Sequence, residues 1–127
     1  MSLLLDTHFV IASLNDTLEA QYPNHSQLLA RTDDTAISVV SIWEISIKYR
    51  LGKLQLNVQP THIGRYFEQT GSRIISIEEN HATAELSVWP PTNDPFDRLL
   101  LAQCQVENML LVTIDRALIT HPLAARV

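Results

Sequence analysis

The chain has 127 residues, of which 46% are apolar and 18% charged; this balance suits a folded domain with a real core and excludes a disordered or fibrous polymer. The net charge of −5 argues against a passive nucleic-acid binder with a wide basic face, but leaves room for a catalyst whose carboxylates are neutralised by a divalent cation. No apolar run approaches the roughly 20 residues of a membrane span, and the opening MSLLLDTHFV has no basic leader, so a cytoplasmic protein without membrane contact is expected.

In chain order, Leu3 to Leu5 form a short apolar run ending at Asp6, the pattern of a buried strand that delivers a polar residue at its C-terminal end. A helix is predicted over about Phe9 to Leu14, and another from Pro23 to about Arg31. Ala36, Ile37, Val39 and Val40 supply the β-branched content of a second strand. Ser41-Ile42-Trp43-Glu44 has capping-box spacing and predicts a helix start, with Gly52 as its left-handed stop.

Pro60 suits a further helix opening, Gly71 closes it, and Arg73, Ile74, Ile75 and Ile77 read as a third strand. Cap spacing recurs at Ser76 to Glu79, predicting a helix over about Glu79 to Val88, before the Pro90-Pro91 loop. Asp94-Pro95-Phe96-Asp97 opens the next helix, Asn108 ends it, and Met109 to Val112 form a fourth strand with Thr113 and Asp115 at its exit. The tail to Val127 has room for a short helix and a fragmentary edge strand. This alternation predicts an α/β fold: one three-layer α/β/α domain over residues 1–127, around a central parallel sheet of four to five strands.

In such a sheet the functional crevice lies beyond the carboxyl ends of the strands. That rule selects Asp6, Glu44, Asp97 and Asp115 as candidate catalytic and metal-binding residues. Each has an ordinary alternative as a helix cap or solvated turn, although Asp6, close to the sheet centre, would be costly unless partnered. Hard carboxylate oxygens without clustered Cys or His favour Mg²⁺ or Mn²⁺ over zinc. Such an ion would orient and activate a water against a phosphodiester.

Thr7 and Thr113 stand beside two of the acids, either to position a ligand or to serve packing and local capping. Arg98, Arg116 and Lys48 are candidate phosphate contacts, with structural pairing as the alternative. Trp43, Trp89 and Phe96 fit base stacking or burial in a core or interface. The single cysteine, Cys104, reads as a buried helix position.

The segments LLLDTH at 3–8, SIWEISIKYRLGKL at 41–54, DPFDRLLLAQ at 94–103 and LLVTID at 110–115 together resemble PIN-domain proteins of the VapC toxin type. The resemblance runs from residue 3 to about residue 120. It implies a PIN fold, Mg²⁺- or Mn²⁺-dependent endoribonuclease activity on RNA, a homodimer, and inhibition by a small antitoxin protein of a type II toxin–antitoxin pair. The family's acidic motif falls on Asp6, Glu44, Asp97 and Asp115, with Asp94 as an auxiliary that caps the helix from Pro95. The ending HPLAARV departs from the apolar ending of close relatives, so a shortened last edge strand is expected.

Two other function classes fit parts of this pattern. An acidic-pocket phosphatase or phosphotransferase also puts an Asp after its first strand, but would want a second Asp two positions on, where His8 stands. A catalytically inactive binding module would use the crevice as a partner site.

Overall fold

Residues 1–127 are described by a computed structural model. Its strands bury both faces, and their side chains divide by the two-residue period of extended backbone. In β1 (Leu3–Leu5), Leu3 and Leu5 enter one apolar cluster and Leu4 the other; in β2 (Thr35–Ser38), Ile37 and Ala36 divide in the same way. With β3 (Arg73–Ile75) and β4 (Leu110–Val112) the strands make a four-stranded, all-parallel sheet in the order β3-β2-β1-β4.

Helices cover both faces. One cluster takes Phe9, Val10 and Leu14 from α1 (Thr7–Leu14), Leu28 from α3 (Pro23–Ala30), Ile45 from α4 (Val39–Arg50), and Ile63 and Phe67 from α5 (Ile63–Gln69). A short α2 (Leu18–Gln21), absent from the sequence reading, packs partly on this side through Leu18. The other cluster rests on Leu100, Leu101 and Cys104 of α7 (Pro95–Glu107). The three-layer α/β arrangement expected from the sequence is therefore the one observed.

Two boundaries differ from the sequence reading. Val39 and Val40 belong to α4 rather than β2, because the Ser38 hydroxyl accepts the Val40 amide at 3.0 Å and caps the helix there. The proposed Ser41–Glu44 capping box is therefore absent. Ser41 lies inside the helix and Glu44 sits in its second turn rather than its first.

The second difference is α6 (Glu79–Ala82), one turn long instead of reaching Val88, and capped by Glu78 rather than Ser76. The Gln105 side chain accepts the Ser87 amide and donates to the Glu85 carbonyl, each at 2.9 Å. These groups thereby find partners outside a helix. Ile77 falls outside β3 and is exposed. Beyond β4 the tail forms turns, and a lone parallel bridge from Leu111 to Ala124 stands where a fifth strand was allowed for.

Gly52 and Gly71 end α4 and α5 at φ +71° and +90°. At the first, the Gly52 amide reaches the Tyr49 carbonyl and the Lys53 amide the Lys48 carbonyl; Gly71 and Ser72 repeat the pattern on Glu68 and Phe67. An added Cβ at Gly52 or at the helical Gly64 meets nothing within 4 Å, so backbone preference alone sets the cost. Gly52→Ala is expected to destabilise by about 1 kcal/mol and Gly64→Ala to stabilise by about 0.5–1 kcal/mol. Urea titrations that gave both changes the same sign would contradict this account.

Candidate active site

Asp6 leaves β1 in an extended conformation, and its amide bonds to the Val112 carbonyl of β4 at 3.0 Å. This fixes it at the sheet centre, beside the point where the chain's crossovers part to opposite sides. Its side chain is buried, and Oδ1 accepts the Phe9 amide at 3.3 Å, which caps α1. The Asp6 carboxylate thus serves a cap and also reaches the crevice.

The other acids arrive on separate elements. Asp94 is the N-cap of α7, accepting the Phe96 amide at 2.8 Å and the Asp97 amide at 3.4 Å. The reciprocal arm of a capping box is absent, since the Asp94 amide goes to the Thr92 hydroxyl. Asp97 therefore keeps its carboxylate free of the cap. Asp115, past β4, accepts the Ala117 amide at 2.8 Å, and its own amide bonds to the buried Thr113 hydroxyl at 3.1 Å, a local turn.

Asp6, Glu44, Asp94, Asp97 and Asp115 line one pocket of about 120 Å³, together with Thr7, His8, Ile11 and Lys48. Burial raises the Asp97 carboxyl to about 7, reinforced by the charges of Asp94, Asp115, Glu44 and Asp6. His8, which the sequence reading did not select, stands with Nδ1 3.9 Å from Asp6 Oδ2. The nearby Asp6 carboxylate favours the charged imidazole, outweighs desolvation and raises the His8 pKa. The only sequence signal for His8 was its place two residues past Asp6.

Glu44 is held on both oxygens, by the Thr7 hydroxyl at 2.6 Å and by Lys48 Nζ at 2.8 Å. Arg98 instead serves the loop before α7: it donates to the Thr92 carbonyl and to Asn93, and lies 5.1 Å above the Trp89 ring. Arg116 is exposed beside Asp115 and does not line the pocket. Trp43 and Trp89 are more than half exposed, which removes the core reading for both; Trp43 meets Phe96 edge-on at 5.4 Å. Cys104 is buried, its thiol pushed up to about 12 by desolvation.

The acids share this pocket, but no three His, Cys, Asp or Glu side chains are drawn into a ready-made metal cluster. Helix capping, Thr7 and Lys48 hold the carboxylates on their own elements, and like charge opposes closer approach. The donor set fits a hard divalent cation, being nearly all carboxylate oxygen, and such an ion would relieve the repulsion recorded in Asp97. A second, more apolar cleft of about 460 Å³ lies at the other end of β4, around Met109, Leu110, His121 and Leu123, and has no acid in its lining. No helix is long and apolar enough to cross a membrane.

No curated protein matches this chain in sequence. Among solved structures, a toxin–antitoxin complex from Klebsiella pneumoniae contains a chain similar to this one, with a TM-score of 0.60 and 18% identity over 98% of this chain and 97% of that one. VapBC2 from Rickettsia felis, bound to a DNA fragment from their promoter, gives a TM-score of 0.61 and 19% identity over 98% and 96%. At such identities the likeness establishes the fold alone. The PIN domain signature, however, matches residues 3–121, and with the parallel sheet and the acids at its carboxyl end it shows that the chain belongs to the PIN domain family.

Proposed function

We propose that this chain is a Mg²⁺- or Mn²⁺-dependent endoribonuclease, a single PIN domain acting as the toxin of a type II toxin–antitoxin pair. The observation that carries this reading is the convergence of Asp6, Glu44, Asp94, Asp97 and Asp115, from four parts of the chain, on one small pocket. Membership of the PIN family and likeness to chains solved in toxin–antitoxin complexes support it. A homodimer, a cognate antitoxin protein that covers the pocket, and a cytoplasmic location belong to the same proposal.

In this reading Asp6, Asp97, Asp115 and Glu44 hold the cation, while Asp94 keeps α7 in place by capping it. The ion would supply a water activated at neutral pH and charge stabilisation for the phosphodiester in its transition state. Lys48, exposed beside Glu44, and Arg116, exposed beside Asp115, offer positive charge to RNA phosphates flanking the scissile one. Thr113 shapes the turn that presents Asp115.

Purified chain is expected to cleave structured RNA in the presence of Mn²⁺ or Mg²⁺ and to lose cleavage with chelator. Expression without a partner is expected to arrest growth, and Asp6→Asn to abolish both effects. Cleavage that survives this substitution would point to a contaminating nuclease. Turnover of phosphorylated small molecules with RNA left intact would favour the phosphatase class, and inert protein with normal growth the binding-module class.

A further inference from the structure

We propose that Thr7 is a positioning residue for Glu44, which it holds by a buried hydroxyl packed against that of Ser41. Thr7 opens α1 directly after Asp6 and is 7% exposed; Ser41 is fully buried on α4, one turn before Glu44. Thr7 Oγ1 lies 2.6 Å from Glu44 Oε1 and 3.1 Å from Ser41 Oγ. A hydroxyl has one proton, and the shorter, charge-assisted contact takes it. Thr7 Oγ1 has donor geometry toward both oxygens; its proton goes to Glu44, and the Ser41 hydroxyl packs against it from the buried side.

The two oxygens of Glu44 are held unequally. Oε1 is tied to a hydroxyl built into the fold where α1 meets α4, whereas Oε2 meets Lys48, whose side chain is 48% exposed. An exposed lysine exchanges readily with solvent and counter-ions. Oε2 is thus the oxygen left for a cation or its water, and Thr7 sets where that oxygen stands. The alternative is that the hydrogen bond serves stability alone.

This inference rests on the metal-dependent nuclease reading, so its test includes a measurement independent of catalysis. Thr7→Val keeps the shape and removes the hydroxyl; Thr7→Ser restores it. In the full-length protein, Mn²⁺ affinity from calorimetry is expected to fall about 10- to 100-fold in Thr7→Val, the range for loss of a group that orients a ligand. The kcat on RNA should fall with KM little changed, and Thr7→Ser should recover most of both losses. The ¹³C resonance of the Glu44 carboxyl should move in Thr7→Val without any metal present.

Wild-type Mn²⁺ affinity in folded Thr7→Val, together with an unmoved Glu44 resonance, would overturn the proposal. Should wild-type protein bind no Mn²⁺ and cleave no RNA, the nuclease reading falls, and the resonance alone decides whether Thr7 positions Glu44. If Thr7→Val does not fold, Thr7→Ala carries the comparison: a moved Glu44 resonance with weakened Mn²⁺ binding supports the proposal, and the absence of both changes overturns it.

Discussion

Asp97→Asn is expected to lower metal-dependent hydrolysis at least about 100-fold while raising the thermal midpoint of the metal-free protein above pH 7. Both effects come from one carboxyl. Its pKa is pushed up to about 7 from an ordinary 3.8, first by burial and then by Asp94, Asp115, Glu44 and Asp6. Between those values the folded chain keeps a proton that the unfolded chain has released, so folding stability falls as pH rises.

The destabilisation is absent below about pH 3.8, grows through the window, and is complete above about 7. Asparagine never ionises. The gap in thermal midpoint between variant and wild type should therefore be clearly smaller at pH 5 than at pH 8, and saturating Mn²⁺ should narrow or reverse it by stabilising only the wild type. Equal gaps at the two pH values would show that Asp97 is not under this electrostatic load. Retained hydrolysis would remove it from the catalytic machinery.

Gln103→Ala is expected to destabilise by about 3–5 kcal/mol, a large share of the roughly 5–15 kcal/mol that holds a typical domain together. Gln103 is fully buried on α7. Its Oε1 accepts the Ser38 hydroxyl at 2.5 Å, and its Nε2 donates to the Ser76 carbonyl at 3.1 Å. Ser38 is itself the cap of α4, so one amide links α7, the exit of β2 and the segment after β3.

Truncation leaves a cavity and strips the partner from the buried Ser38 hydroxyl, and these costs add; the carbonyl of the exposed Ser76 can turn to water. Gln103→Met, nearly isosteric, keeps the volume and loses only the polar part, so about 1–3 kcal/mol is expected. A double-mutant cycle with Ser38→Ala should show the two changes to be less than additive, because they remove the same hydrogen bond. A Gln103→Ala protein within about 1 kcal/mol of wild type in urea would mean that the bridge has no net effect.

Much of the architecture was legible from local pattern. Leu3, Leu4 and Leu5 announce a strand buried on both faces because no polar residue interrupts them, and Asp6 ends it with a side chain that caps the next helix. Asp94 followed by Pro95 marks a helix start from cap chemistry alone, and Gly52 and Gly71 mark helix ends because they accept positive φ. Where the sequence reading missed, competing signals met. Val39 and Val40 carry strand propensity, yet Ser38 is the better cap, and burial of Val40 against the second cluster secures the helix.

The acids could be selected one by one from their places after strands and at helix starts, since these positions are set by nearest neighbours along the chain. Their meeting could not be derived in that way. Residues 6, 44, 97 and 115 are brought together by the parallel order β3-β2-β1-β4 and by helices packed on both faces, and those depend on burial shared among distant segments. The load on Asp97, the grip of Thr7 on Glu44 and the turning of Arg98 toward Trp89 exist only after that packing. Sequence thus determined which side chains stand at the ends of the elements; the tertiary structure decided which of them share a pocket, because Coulombic and hydrogen-bond energies act over a few ångströms of space whatever the separation along the chain.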